Sequence, residues 1–250
     1  MAAFLRMPKH PVSLELAELH IGDDILPLTL RRNARARRMI LRLDRNGTGI
    51  VLTIPARASR QKALEFAKTH SRWIKSRLSA VAKRVPFLNG AIIPLRGEPH
   101  EIRSKDILRG IVRVVPPAAG FPGLIEVAGD PAHLARRLRD WLKGECKKDL
   151  AAASAAYAKA MAVTFHKISV RDQCSRWGSC SARGQLSYSW RLILAPSFVL
   201  DYVAAHEVAH LAQMNHGPKF WALVARHCPD VQRARVWMRR HGKELHGYGS

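Results

Sequence analysis

The sequence predicts an α+β fold: a small β-rich region at the N-terminus, then a mainly helical core holding a short antiparallel sheet. Three observations predict it. Residues 12–55 read as β, and over 86–129 short apolar runs are cut by Pro and Gly every few positions, as in strands joined by turns. From Asp130-Pro131 onward, long segments with helical spacing take over. Residues 166–194 interrupt them with alternation of period two. The division expected from these shifts is a basic, β-rich region with one helix over 1–125 and the helical core over 126–250.

The elements follow in order. Residues 12–55 read as β. Met39-Ile-Leu-Arg-Leu-Asp-Arg alternates in part, Asn46-Gly47 is a hairpin turn signal, and Ile50-Val-Leu-Thr-Ile runs up to Pro55. A helix is expected over 59–84, with Ser59 as N-cap and Leu64, Ala67, Ile74, Leu78 and Val81 on one stripe. Residues 86–129 read as short strands and turns, among them Ile111-Val-Arg-Val-Val. Asp130 is an N-cap and Pro131 a first-turn residue for a helix running to about Met161. Residues 166–194 read as a hairpin, with Ile168 and Val170 on one arm and Leu186, Tyr188, Trp190, Leu192 and Leu194 on the other. Arg183-Gly184 marks its turn. Pro196, Pro218 and Pro229 each open a helix, ending near Met214, His227 and His241.

The chain has 250 residues and a formal net charge of +23, with 47% hydrophobic residues. A disordered polycation is excluded by that apolar content, and no stretch is long and apolar enough for a transmembrane helix. No secretory signal is read at the N-terminus, and four cysteines do not suggest a disulfide scaffold, so a reducing cytoplasm is the expectation. Arg supplies 29 of the 42 cationic side chains. That excess favours anionic partners such as nucleic acid or nucleotides, or is a solvated basic surface. The run Arg31, Arg32, Arg35, Arg37, Arg38, Arg42 and Arg45 is interleaved with Ile40, Leu41 and Leu43, so it belongs to a folded element.

The chemistry concentrates in His206-Glu207-Val208-Ala209-His210. Residues four apart on a helix project from one face, about one turn apart, so both imidazoles can meet one ion. Glu207 sits beside them, able to reach water on that ion. Neutral imidazole suits Zn²⁺, which needs a third protein ligand and keeps a position open. The motif lies on an apolar helix, Phe198-Val-Leu-Asp-Tyr-Val-Ala-Ala-His, where unpartnered polar groups are costly. His216 follows six residues after His210, beyond a turn signalled by Asn215 and Gly217. The spacing equals that of metzincins, but Gln213 stands where they carry glycine. His227, His241 and His246 read as structural or solvated.

A second cluster is Arg176-Trp177-Gly178-Ser179-Cys180-Ser181. Arg176 is either a stabiliser of an anionic transition state or a cation anchoring the hairpin. Trp177 reads as a packed aromatic beside a bendable backbone position. Cys174 and Cys180 fit no zinc-finger spacing.

Taken together, Arg176-Trp-Gly-Ser-Cys-Ser, Trp190-Arg-Leu-Ile-Leu-Ala-Pro, Asp201-Tyr-Val-Ala-Ala-His-Glu-Val-Ala-His-Leu, Met214-Asn-His and Phe220-Trp221 resemble the YgjP-like metallopeptidase family. The Arg-rich strand region, Ala63-Leu-Glu-Phe and Trp73-Ile74 extend the resemblance to roughly residues 30–240. It implies a zincin core related to SprT-like and WLM proteases, Zn²⁺ held by His206, His210 and His216, and Glu207 as general base. Arg176 and Trp177 are candidate substrate or transition-state contacts. Ser189 departs from the Asn that members often carry before Trp-Arg-Leu.

The leading expectation is a zinc metallopeptidase of the H-E-x-x-H type, acting on a peptide or protein laid along an edge strand within 185–194. Two others stand beside it. One is a zinc-dependent nucleotide or phosphoanhydride hydrolase, suggested by the arginines. The other is a nucleic-acid-associated protein with protease activity on bound proteins, suggested by the net charge. The sequence sets no oligomeric state.

Overall fold

The computed structural model describes residues 13–22, 24–44, 49–79, 84–107, 110–173 and 175–249. Asn46-Gly47, Arg45, Val81 and Cys174 lie outside the described residues. The chain divides into two compact units, residues 1–81 and 82–250. The division expected at 125/126 falls instead within a strand of the second unit. The Pro and Gly residues of 86–129 lie within and between the strands of one sheet, with Pro94 and Pro99 facing each other across two of them.

In the first unit, β1 (Leu14–Ile21), β2 (Asp24–Asn33), β3 (Ile40–Leu43) and β4 (Ile50–Pro55) form one sheet in the order β1-β2-β4-β3. β3 and β4 pair antiparallel with Leu43 opposite Ile50, as the two arms of a hairpin do, while β2 and β4 run parallel. Leu28 and Leu30 from β2 and Ile50, Leu52 and Ile54 from β4 are buried, two residues apart, which puts them on one face. Arg32 donates to the carbonyls of Ala56 and Ala58, so part of the arginine run is structural.

The helix expected over 59–84 is two helices, α1 (Arg60–Thr69) and α2 (Ser71–Ser79). Ser59 caps α1, its hydroxyl accepting from the Lys62 amide at 3.2 Å. The break has a local cause. The Thr69 hydroxyl and the His70 ring nitrogen Nδ1 both donate to the Phe66 carbonyl, each at 2.8 Å, taking an acceptor that a continuing helix would use. Ala67 and Ile74 of the expected stripe are buried nonetheless.

The second unit opens with a sheet of β5 (Ile92–Leu95), β6 (Glu98–Lys105), β7 (Val112–Val115) and β8 (Gly123–Ala128), in the order β5-β6-β8-β7. Asp130 then accepts from the Ala132 amide at 2.8 Å, and after one 3₁₀ turn α3 (Leu134–Ala160) begins. Its buried residues are Leu134, Leu138, Leu142, Cys146, Leu150, Ser154 and Ala158. A strict repeat of four makes a single stripe along 27 residues. Arg96, between β5 and β6, reaches α3: its guanidinium donates to Asp149 at 2.8 and 3.0 Å and to Glu145 at 3.1 Å.

β9 (Lys167–Arg171), β10 (Gly178–Cys180) and β11 (Gln185–Ser189) form a third sheet in the order β10-β11-β9. The hairpin joins β10 to β11 through Gly184, whose φ of +67° favours glycine. β9 pairs parallel to β11, so the sheet is mixed where an antiparallel one was expected. The strand expected to reach Leu194 ends at Ser189, and Trp190–Leu194 is a 3₁₀ turn with every residue buried. Continuous burial there is a core segment, not the two-faced pattern of a strand. β11 is central; β10 and β9 are the outer strands, and β10 is the one that packs on the helix at 197–209.

Three helices complete the unit: α4 (Ser197–Ala209), α5 (Pro218–His227) and α6 (Val231–His241). α4 packs on α3, α5, α6 and β10. It stops short of the expected Met214: the Leu211 and Ala212 amides bond three residues back, to Val208 and Ala209, and the His210 ring takes the Gln213 carbonyl. Among the described residues no helix is long and apolar enough to cross a membrane.

Candidate metal centre

α4 supplies the frame of the site. Nine of its thirteen residues are buried, Glu207 among them. Its apolar faces meet core on several sides, which pins its last turn. His206 and Glu207 lie in that turn and His210 caps it.

The chain then turns back. The Gln213 amide donates to the Ala209 carbonyl at 2.9 Å, and His210 Nδ1 donates to the Gln213 carbonyl at 3.1 Å. A carbonyl can only accept, so Nδ1 carries the proton and His210 Nε2 keeps its lone pair for a ligand. The same turn returns His216 to the helix, its Nε2 3.0 Å from Nε2 of His206. Ring centroids are 5.0 Å apart for His206 and His210, 4.9 Å for His206 and His216, and 4.6 Å for His210 and His216. One nitrogen from each ring can be taken so that all lie within 4.8 Å of one another. Two nitrogens bound to one tetrahedral ion are about 3.3 Å apart, so these donors fit a shared cation.

Burial, and after it the neighbouring imidazoles His210 and His216, hold His206 down at about 4. Burial also lowers His210. Both rings are therefore neutral at pH 7, the form that coordinates a metal. Phe220 stacks on His210 at 4.5 Å and meets His206 edge-on at 4.9 Å. Trp221 lies 5.8 Å from both His206 and His216, and the Arg235 guanidinium covers it at 4.7 Å.

Glu207 faces β10. A Cβ built on Gly178 would stand 2.5 Å from Glu207 Oε1, 2.6 Å from Cγ and 2.7 Å from Cδ. Only glycine leaves room for that carboxylate. Oε2 is buried with no hydrogen-bond partner among the described residues. Burial pushes the carboxyl up to about 7, and the charge of Arg176 pulls the other way. Arg176 itself is exposed. Trp177 is half-buried, stacked on His246 at 4.7 Å, and lines a cavity of about 200 Å³ together with His206 and Glu207.

The structure thus brings together the three predicted histidines, and sets Glu207 and Trp177 beside them. Ser189 stands apart from the cavity: it is buried, its amide bonded to the Trp177 carbonyl at 2.9 Å and its hydroxyl unpartnered among the described residues. Arg191 is buried against Asp172 and the Trp190 ring, an anchor in the core. Sequence reasoning missed Tyr202, Met238 and the part played by Gly178. Tyr202 stands four residues before His206, so helical spacing could have found it. Met238 reaches the cavity only because α6 packs on α4, and no local signal marks it.

Comparison with known families decides what this arrangement belongs to. Residues 37–241 match the YgjP-like metallopeptidase domain. The chain belongs to the YgjP-like metallopeptidase family. Comparison with curated proteins and with solved structures gave no match. The matched region begins in the first unit, after β2, and ends on the last residue of α6, so it covers part of the first unit and most of the second. Membership makes this a metallopeptidase-type hydrolase and implies a metal, for which the three histidines offer a donor set.

Proposed function

We propose that the protein is a zinc-dependent metallopeptidase, with His206, His210 and His216 holding the ion and Glu207 acting as general base. The observation that carries this reading is the Glu207 carboxylate, buried beside the triad with an unpartnered oxygen. A carboxylate held at that place can accept a proton from water. Zinc, held by these three histidines, would supply Lewis acidity that polarises a carbonyl and lowers the pKa of bound water toward 7. Glu207 takes the proton of the attacking water at its carboxylate and passes it to the departing amine. Gly178 and the packed end of α4 keep that carboxylate in place. Arg176, exposed near Glu207, supports the charge that develops on the substrate oxygen. The outer strand β10 offers an extended peptide a backbone edge next to Glu207, the part earlier expected of 185–194.

Glu207→Gln tests the reading. The variant is expected to retain one zinc per chain by mass spectrometry and to lose hydrolysis of peptides, whereas His206→Ala loses the metal. Undiminished hydrolysis by Glu207→Gln refutes the assignment.

A further inference from the structure

The cavity beside Glu207 is too small for a drug-sized molecule. At about 200 Å³ it falls below the ~300 Å³ where such pockets begin. It equals roughly six or seven water volumes, room for one side chain of four to seven heavy atoms. Its walls are apolar: Trp177 on one side, Tyr202 and Val203 of α4 on another, and Met238 of α6. They are also held from behind. Tyr202 and Val203 are buried, and His246 stacks on Trp177 with an interplanar angle of 24°. The shape is therefore preformed. Its ionisable groups at neutral pH are His206 and Glu207, both already committed to the centre. An acidic side chain entering it would meet the Glu207 carboxylate, and a cationic one would lose its hydration among Trp177, Val203 and Met238.

Gly178 belongs both to this cavity and to β10, an outer strand. An extended chain paired along β10 presents alternate side chains to one face. Gly178 and Glu207 both line the cavity, so a chain paired beside Gly178 would run next to that carboxylate and to His206.

We propose that this cavity is the subsite for the substrate side chain adjoining the scissile bond, and that it selects an uncharged apolar side chain of leucine, methionine or phenylalanine size. The proposal rests on the metallopeptidase reading above.

Calorimetric binding to zinc-loaded protein tests it without turnover. The probes are three hydroxamates that differ only at the carbon next to the chelating group, bearing hydrogen, isobutyl or carboxymethyl. The isobutyl compound is expected to bind at least tenfold more tightly than the unsubstituted one, since one methylene in a fitted pocket is worth about 10–200-fold. The carboxymethyl compound gains nothing. Met238→Trp fills the cavity and brings the isobutyl compound down to the unsubstituted one. Met238→Ala, which needs no extra room to fold, retains the preference and admits a naphthylmethyl group that wild type rejects. Equal affinity of wild type for the isobutyl and unsubstituted compounds overturns the subsite and leaves the metal centre standing. If none of the three binds, the metal-centre reading falls and the subsite with it.

Discussion

Gly178→Ala is the sharpest test of how Glu207 is held. The added Cβ would lie 2.5–2.7 Å from three atoms of the Glu207 side chain. Non-bonded heavy atoms sit comfortably at about 3.5–4.0 Å, so the carboxylate end must retreat by about 1 Å. The space it can retreat into is the cavity beside it, away from its present place at the triad. A misplacement of that size costs about a hundredfold in rate, or about 2.7 kcal/mol of transition-state stabilisation. Overpacking adds a destabilisation of about 1–3 kcal/mol. No histidine of the triad is among the three nearest contacts of the new methyl, so zinc content stays at the wild-type level. The assays are kcat/KM on a peptide substrate, zinc per chain, and urea unfolding. A folded Gly178→Ala variant with wild-type kcat/KM refutes the argument that this glycine positions the base. So does a variant that loses zinc first, because the clash would then lie at the ligands.

Three further outcomes concern the scaffold. Ser154→Ala strands the buried Tyr188 hydroxyl that Ser154 contacts at 3.0 Å, and should cost about 1–3 kcal/mol in urea unfolding; adding Tyr188→Phe should return part of that loss. Gly144 is exposed within α3 and nothing lies within 4 Å of a Cβ there, so Gly144→Ala should raise stability by up to about 1 kcal/mol, seen as a higher Tm. Hydrogen bonding from Lys148, then from Arg96, holds the Glu145 carboxyl below its usual 4.5. A depressed carboxyl contributes stability above the unfolded pKa and loses it as pH falls through the folded one. Wild type should therefore lose Tm below about pH 4.5 more steeply than Glu145→Gln does, and parallel acid limbs would contradict this.

Local signals were legible wherever one residue's own chemistry decides the outcome. Ser59 and Asp130 cap as read, Gly184 turns the hairpin, and the four-residue repeat of α3 runs to its expected end. The histidines were legible for the same reason, since helical geometry alone fixes His206 against His210. The misses arose where a distant partner decides. Alternation over Leu186–Leu194 does not say whether a neighbour runs parallel or antiparallel, and Trp190–Leu194 is apolar enough to mimic either a strand or a core turn. The break at His70 depends on a contest for one carbonyl. The boundary near 81 carries no composition shift, whereas 125 does. Gly178 facing Glu207 and Met238 lining the cavity are products of packing between elements far apart in sequence.

The near-complete enclosure of α4 ties the life of the site to the life of the fold. A helix with nine buried residues out of thirteen exposes only Ser197 and Asp201, in its first half, and leaves its last two turns little solvent face along which to fray. Its amides should exchange with solvent only through the largest openings of the second unit, on the slowest timescale the unit shows. Loops elsewhere can open and close without disturbing the last turn of that helix. The protein then has few intermediate states that are folded yet lack His206, Glu207 and His210 in register, and heating should end chemistry and structure in one cooperative step.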